Sequence, residues 1–233
     1  MAQLTKAVLG RFSGRIGDTV FRQRNGKNFV GTRPRSYTPP ADQGSVDRRS
    51  RFTFSAKLAQ AVYTIPELAA FWKPKTPDGM TIPNYIFQKN VLIVNPDSVS
   101  DLTTITPEHS FPIVCSSAAF ASNAIAVSLA AIGNAARIDV TKEPNAKLAY
   151  VLSLTKPSNG TYPDFTFISG TSDTKPLVLD SALSFNIALS AQDAASIGSY
   201  ADRKILLALL TVDAANAPVE YSGTVVSQVT VTP

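Results

Sequence analysis

The run KILLALLTV, residues 204–212, is apolar at seven of its nine positions and leads into the turn-rich segment DAANAPV. It is too short to span a bilayer, but its Ile, Leu, Val and Thr residues suit a strand. Comparable runs recur from about residue 97 onward, separated by segments rich in Gly, Pro, Asn, Asp and Ser. They are SFPIVCSSAAF (110–120), AIAVSLAAI (124–132), ARIDVT (136–141), LAYVLSLT (148–155), DFTFIS (164–169), PLVLDSALSFNIAL (176–189) and GTVVSQVTVT (223–232). Seven or eight strands at this spacing predict an all-β sandwich.

Two of these runs indicate which faces of the sheets are exposed to solvent. ARIDVT and VVSQVTVT alternate between apolar and polar residues, which is typical of sheets with one solvated face. The segment AQDAASIGSY, residues 191–200, instead favours a short helix across one end of the sandwich.

The composition is that of a globular protein rich in β-structure. Of 233 residues, 44% are hydrophobic, which is enough for a core, while only 17% are charged and 16 are proline. The single cysteine, Cys115, excludes an internal disulfide, so packing or partners must supply stability. The opening MAQLTKAVLGRFSG lacks the apolar core of a signal peptide, and no stretch suits a membrane span. We therefore expect synthesis in a cytoplasm and no membrane partner.

Positive charge is concentrated in the N-terminal part of the chain. Residues 1–60 hold 12 Lys or Arg against 3 Asp, a net charge of +9, whereas residues 61–233 hold 10 against 14, a net of −4. Such asymmetry points to an interaction tail for nucleic acid, an acidic protein surface or anionic lipid. A segment that only keeps the chain soluble is the alternative reading. The cations here alternate with aromatic residues and glycines, which favours an interaction surface.

The segment TVFRQRNGKNFVGT, residues 19–32, contains two short β-prone runs on either side of an Asn-Gly pair. This pair is the strongest short hairpin signal, because both central residues of a type I′ turn need positive φ. The two-residue loop sets Arg22 opposite Phe29 and places both on one face. The same register sets Arg24 opposite Lys27 on that face. Because a two-stranded hairpin is marginal in water, we expect it to dock on another element.

Residues 41–96 have the pattern of a small helical unit. Phe52, Ala56, Ala59 and Tyr63 recur at helical spacing and predict the buried stripe of a first helix, with Ser45 or Asp47 as its N-cap. PELAAFW, residues 66–72, predicts a second helix with proline in its first turn, and NYIFQKN, residues 84–90, a last helical turn. In the first turns of the first helix, Arg48, Arg49 and Arg51 oppose the helix dipole. A nearby anion or acidic partner would make this arrangement favourable.

Few residues are available for catalysis or metal binding. The one histidine, His109, lies in TPEHSF, which is not a strand-to-helix elbow, and no G-x-S-x-G motif is present. One His and one Cys supply too few soft ligands for zinc, and the Asp residues lack calcium-loop spacing. Gly26-Lys27 is followed by Asn28 rather than Ser or Thr and lies in a hairpin turn, which favours a structural role of the glycines over a phosphate loop. We therefore predict no enzyme activity, no cofactor and no dedicated metal.

The front of the chain resembles a known domain family. GRFSGRIGDTVFRQRNGKNFVGTRPR, followed by QGSVDRRSRF and YIFQKN, is similar to an uncharacterised family widespread in Bacteroidota and their phages. The positions that match its pattern are Gly10, Ser13, Gly14, Ile16, Gly17, Val20, Gly26, Arg33, Pro34, Gln43, Arg48, Phe52, Phe87 and Asn90. Asp42-Gln43-Gly44 departs from the usual apolar-rich version. The resemblance covers residues 10–90 and implies an immunoglobulin-like β region at the C-terminus, no enzyme activity and a virion setting.

Together these patterns predict a mostly β protein with a small helical unit (α+β). We expect a basic arm with a β-hairpin (1–40), a helical unit of short helices (41–96) and an antiparallel immunoglobulin-like β-sandwich (97–233). The expected function is that of a structural or assembly protein of a bacteriophage virion, anchored through its arm to neighbouring subunits and forming a homo-oligomer. The expected contact residues are Arg22, Arg24, Lys27, Phe29, Arg33, Arg35, Arg48, Arg49 and Arg51.

Two other functions remain open at the level of sequence. In the first, residues 1–60 bind DNA or RNA, either as a nucleic-acid-binding protein or as the internal arm of a jelly-roll coat protein. In the second, the sandwich is an adhesion or carbohydrate-binding module. The regular hairpin favours docking on protein over genome binding, and the aromatic residues of the C-terminal part have the spacing of a core.

Overall fold

The computed structural model describes residues 2–4, 13–24, 27–33, 36, 38–108, 111–133 and 138–231. Its contacts divide the chain into two compact units, Met1–Val46 and Asp47–Pro233. The predicted mostly β fold with a few helices is confirmed at this level. The three-part division at residues 40 and 96 stays a prediction. No helix in the described ranges has both the length and the apolar character that a membrane crossing requires.

The elements run in the following order along the described chain. The first unit contains β1 (Ala2–Leu4), β2 (Gly14–Ile16), β3 (Thr19–Arg24) and β4 (Lys27–Thr32). Helix α1 (Gln43–Tyr63) begins in this unit and is followed by α2 (Pro66–Trp72), a 3₁₀ turn (Lys73–Lys75) and α3 (Ile82–Asn90). The remaining elements are β5 (Cys115–Ala121), β6 (Ala124–Leu129), β7 (Asn145–Pro157), β8 (Phe165–Thr171), β9 (Lys175–Pro176), β10 (Leu183–Ala188), α4 (Ala191–Gly198), β11 (Tyr200–Val212), β12 (Pro218–Tyr221), β13 (Val225–Gln228) and β14 (Thr230–Val231).

The first unit is a four-stranded antiparallel sheet in the order β1-β4-β3-β2. Strands β3 and β4 pair in the predicted register, with Arg22 opposite Phe29 and Arg24 opposite Lys27. The Asn25-Gly26 turn lies outside the described residues. The hairpin is docked as expected, because β1 hydrogen-bonds to β4 and β2 hydrogen-bonds to β3.

The second unit contains two sheets that share one core. The smaller sheet has the order β10-β6-β5-β14, and the larger has β12-β11-β7-β8 with β13 also on β11 and β9 on β7. All of these pairs are antiparallel except β14 with β5. Inward residues of both sheets form one apolar cluster, which includes Ile125, Val127, Leu148, Leu207 and Phe185. In β10 and β6 buried and less buried residues alternate, so this sheet has one solvated face. Neither strand comes from ARIDVT or VVSQVTVT, the two runs from which such a face was predicted.

The larger sheet is covered on both faces. A second cluster joins its opposite face to the helices, with Val151, Leu206 and Ala208 packed among α1, α2 and α3. Strands β7 and β11 are therefore buried without interruption over residues 148–155 and 205–212, including successive residues that point to opposite faces. This two-sided burial explains why LAYVLSLT and KILLALLTV are continuously apolar rather than alternating.

Helix α1 differs from the sequence prediction at its start. The helix begins at Gln43, and the side chain of Asp42 accepts a hydrogen bond from the Ser45 backbone N–H at 2.9 Å. Asp42 is thus the N-cap, and the prediction of Ser45 or Asp47 is wrong. Ser45 is instead buried inside the first turn.

The buried face of α1 also differs from the prediction. Phe54, Leu58 and Val62 are fully buried. Of the predicted stripe only Ala59 is buried, whereas Ala56 is exposed and Phe52 and Tyr63 are 60% and 41% exposed. Both stripes have helical spacing, but the observed one carries the larger aliphatic side chains. Helix α2 agrees with the prediction, since Pro66 opens it and its apolar face, including Leu68 and Trp72, is buried.

One predicted strand is wrong. Within ARIDVT, residues 138–141 form no strand, and Asp139 accepts hydrogen bonds from the backbone N–H and hydroxyl of Thr141. This local side-chain bonding favours a turn over a sheet. The sequence reading also missed β12, which pairs with β11 next to a bulge between Thr211 and Val212.

An ion pair joins the helical layer to the larger sheet. Lys147 on β7 donates to Glu67 on α2, with 2.6 Å between Nζ and Oε1 and side chains only 24% and 19% exposed. Removing either charge leaves the other poorly solvated, so we expect Glu67→Gln or Lys147→Gln to lower the free energy of unfolding by about 1–2 kcal/mol. Chemical denaturation of both single variants and the double variant measures the coupling.

The control for this cycle is the exposed Lys142–Asp139 pair, whose side chains are 79% and 44% exposed. Lys142→Gln should leave stability almost unchanged. A loss of stability in Glu67→Gln and Lys147→Gln no larger than that in Lys142→Gln would contradict the structural role of the bridge.

Candidate functional site

A cationic face on the first unit contains the predicted contact residues of the hairpin. Arg22 and Lys27 are exposed and Phe29 is half-buried, on paired strands whose register places them on one face. Arg24 stands opposite Lys27 in the backbone register, and its side chain is outside the described part. The opposite face has Phe21 and Val30 half-buried.

The sheet adds a cation that sequence reasoning missed. Strand β2 pairs Arg15 with Val20, and Val20 lies on the same face as Arg22 because residues two apart share a face. Arg15 is exposed, and its Nε donates to the Gly17 carbonyl at 2.6 Å, which holds the side chain beside the turn. The glycine-rich start of the segment concealed this third strand, since glycine is depleted in strands. We call Arg15, Arg22, Arg24 and Lys27 the cationic face.

The remaining predicted contact residues lie elsewhere. Arg33 is exposed just after β4, where its backbone N–H bonds to the Asp18 carbonyl. Arg35 is not among the described residues.

The cationic face includes two like charges at facing positions, since Arg24 stands opposite Lys27. Like charges that face each other across paired strands repel, so an acidic partner would stabilise the cationic face.

A second group of cations lies at the start of the second unit. Arg48 and Arg49 are exposed and Arg51 is half-buried, in the second and third turns of α1. Among the described residues, the buried Nε of Arg51 has no hydrogen-bond partner. Helix α1 begins at Gln43 with the Asp42 carboxylate as its N-cap, so these cations lie beyond the first turn, to which the effect of the helix dipole is confined. The prediction that they oppose the dipole is therefore wrong.

Sequence reasoning missed a cavity on the helical side of the second unit. It measures about 140 Å³ and lies between α2, α3 and residues 104–108, with Trp72, Tyr85, Lys75 and Lys89 in its lining. One feature of the sequence could have indicated this cavity. Lys75 lies three residues after Trp72, the only tryptophan of the chain, so a cation and a large aromatic ring are close together in sequence. Trp72 was correctly assigned to the core, but it also borders this cavity.

The residues considered for catalysis or metal binding add no further candidate site among the described residues. His109 falls outside the described residues, and Cys115 is half-buried with its Sγ 3.4 Å from the Ser117 carbonyl. Within the described ranges, no three His, Cys, Asp or Glu side chains are grouped as metal ligands. The expectations of no catalytic residue, no cofactor and no metal remain predictions.

The chain was compared with models of protein families and with curated proteins. No family model matches it, and no curated protein matches it either. The resemblance to the domain family of Bacteroidota and their phages therefore stays a prediction from the residues that carry it.

Proposed function

We propose that this chain is a non-enzymatic structural protein of a bacteriophage particle, anchored to neighbouring subunits through its first unit. It would serve as a capsid decoration, a collar, a tail or a fibre-base element. The observation that carries the proposal is the cationic face, which the first unit presents on an ordered antiparallel sheet. Three of its members, Arg15, Arg22 and Lys27, are exposed on neighbouring strands.

The arrangement of these cations favours a protein partner. Paired strands hold side chains at fixed spacings, and the planar guanidinium of arginine binds carboxylates in a defined geometry. Residues 1–46 carry 8 Lys or Arg against 2 Asp, a net charge of +6, and residues 47–233 carry 14 against 15, a net of −1. The second unit of another copy is therefore close to neutral and would not repel the cationic face, which is compatible with a homo-oligomeric assembly.

The strand order supports an immunoglobulin-like body. If β5, β6, β7, β8, β10 and β11 are equated with strands A, B, C, C′, E and F, the A–B, B–E, C–F and C–C′ pairings of that fold are all present. Strands β12 and β13 on β11 take the place of strand G. The helical layer on the larger sheet is an addition to that architecture.

Particle composition tests the proposal directly. We expect mass spectrometry of purified phage particles to detect this chain in a fixed copy number relative to the major capsid protein. A truncated chain that begins at residue 41 keeps the Asp42 cap of α1. It should fold, as judged by a cooperative melting transition, but should not enter particles. Normal incorporation of the truncated chain would contradict anchoring through the first unit.

A charge-neutral variant sharpens this test. Arg15→Gln, Arg22→Gln and Lys27→Gln together should abolish incorporation and leave the melting transition in place. The matched control replaces Lys73, Lys142 and Lys156, which are exposed cations of the second unit, and should assemble normally. An equal loss of incorporation in both variants would mean that assembly depends on the total charge of the chain rather than on the cationic face.

Nucleic-acid binding is the alternative function. It predicts that the full chain retains DNA or RNA on a filter and that retention falls steeply with salt, because each phosphate contact releases counterions. The charge-neutral variant should then lose retention. Salt-dependent binding of nucleic acid, with no chain found in particles, would replace the proposed function with this alternative.

A further inference from the structure

We infer that the cavity beside Trp72 binds a carboxylate carried on a ring or a short apolar stem. This binding site is separate from the cationic face and is not part of the proposed assembly function. Its volume of about 140 Å³ is close to that of a cavity that holds one benzene ring. The cavity is therefore large enough for a single small acid or one acidic side chain.

The walls of the cavity are held in place by hydrogen bonds. The Trp72 indole N–H donates to the Ile105 carbonyl at 2.9 Å. Asn90 donates to the Thr104 carbonyl and accepts from the Thr104 N–H, both at 2.9 Å. The Thr224 hydroxyl accepts from the Ile105 N–H at 2.8 Å, on the other side of the segment. A lining fixed from both sides forms a binding site before any ligand arrives.

The inner part of the lining is aromatic. The rings of Trp72 and Tyr85 meet edge to face, with centroids 5.7 Å apart. Trp72 is almost completely buried, while Tyr85 is half-buried in α3. Tyr85, packed against Trp72, therefore offers the accessible aromatic surface for the ring or stem of a ligand.

The outer part of the lining is cationic. Lys89 is exposed, and its Nζ lies 5.4 Å from the centroid of the Tyr85 ring. Lys75 also lines the cavity and is half-exposed, and its Nζ is 4.0 Å from Glu108 Oε2. Two ammonium groups above an apolar surface match a ligand with one anionic end and one apolar end.

Glu108 is the competing carboxylate of the site. Its side chain is 91% exposed, and 4.0 Å is the limit of an ion pair, so the pair with Lys75 is weak and easily exchanged. Burial, followed by the negative charge of Glu108, raises the pKa of the nearby Tyr221 hydroxyl. A ligand carboxylate would take the place that Glu108 occupies beside Lys75.

Tryptophan fluorescence tests the inference, because Trp72 is the only tryptophan of the chain. Benzoate is the probe, and benzamide is its neutral analogue of nearly equal shape. At constant ionic strength, benzoate should change the fluorescence of the full chain saturably, with a Kd of about 1 mM, a modest ligand efficiency for its size. Benzamide should bind at least tenfold more weakly. Equal binding of both probes, or no saturable change with benzoate, would overturn the inference.

Four variants locate the binding. Lys75→Gln and Lys89→Gln should each weaken benzoate binding about tenfold, because each loses a charge-assisted hydrogen bond. Glu108→Gln removes the competing carboxylate and should strengthen binding about threefold. Lys142→Gln, a remote exposed cation, should stay within twofold of the parent chain. Weakening by Lys142→Gln as large as that by Lys75→Gln would contradict binding in this cavity.

The carboxylate has two sources, which a second probe distinguishes. N-acetyl-glutamate amide mimics an acidic side chain of a partner protein, whereas benzoate mimics a free small acid. Tighter binding of benzoate assigns the cavity to a free acid. Tighter binding of the glutamate derivative assigns it to a partner side chain. If neither probe shows sensitivity to Lys75 and Lys89, the inference fails.

Discussion

Replacing Phe54 by alanine is expected to lower the free energy of unfolding by about 3–5 kcal/mol. Phe54 on α1 is fully buried, and its ring lies 4.8 Å from that of Phe165 and 5.0 Å from that of Phe167, both on β8. The substitution removes this aromatic contact between helix and sheet and leaves a cavity that the rigid sheet cannot close. Chemical denaturation monitored by circular dichroism measures the loss.

Phe52 supplies the matched control for this prediction. It lies on the same helix but is 60% exposed, and its ring packs against that of the half-buried Phe87 at a centroid distance of 4.9 Å. Phe52→Ala should cost about 1 kcal/mol or less, since a single aromatic pair is lost and no core cavity forms. Equal losses for the two variants would mean that α1 is rotated and buries the stripe predicted from the sequence.

Replacing Gly170 by alanine should be the second large perturbation, with a loss of about 1–3 kcal/mol. Gly170 on β8 stands directly opposite Tyr150 on β7. A Cβ added at this position would lie 2.9 Å from the Tyr150 hydroxyl oxygen and 3.2 Å from the ring carbon Cζ. Tyr150 is 6% exposed, so its ring has little room to move away.

A double variant separates crowding from other effects of Gly170→Ala. In a Tyr150→Phe background the closest contact is absent, so the cost of Gly170→Ala should fall by about 1 kcal/mol. Gly160→Ala is the matched control, because a Cβ there meets no heavy atom within 4 Å. A Gly170→Ala cost that is unchanged by Tyr150→Phe would contradict a steric origin.

Sequence reasoning performed well where short-range rules apply. The register of the β3–β4 pair followed from the Asn-Gly turn and was confirmed down to the Arg22–Phe29 pair. The proline at the start of α2 and most of the strand positions were also confirmed. Each of these features depends on residues that lie within a few positions of one another.

The same reasoning failed for the buried face of α1. Periodicity shows which residues share a face of a helix, but not which face another element covers. Two stripes of α1 have helical spacing, and the one with Leu58 and Val62 is buried because β7 and β11 offer an apolar surface to it. The candidate site was affected in a similar way. Arg15 joins the cationic face only through the pairing of β2 with β3, and the cavity beside Trp72 needs a segment more than thirty residues further along the chain.

The amino-acid sequence by itself determined the mostly β character, the hairpin register and the concentration of positive charge in the first 60 residues. Turn chemistry, strand composition and charge are local properties, so they can be read without a fold. The tertiary structure alone decided that β7 and β11 are buried on both faces, and that Phe54 rather than Phe52 meets the sheet. These outcomes depend on contacts such as that of Phe54 with Phe165, whose partners lie more than a hundred residues apart. Only the net gain from apolar burial across the assembled layers selects among such pairings.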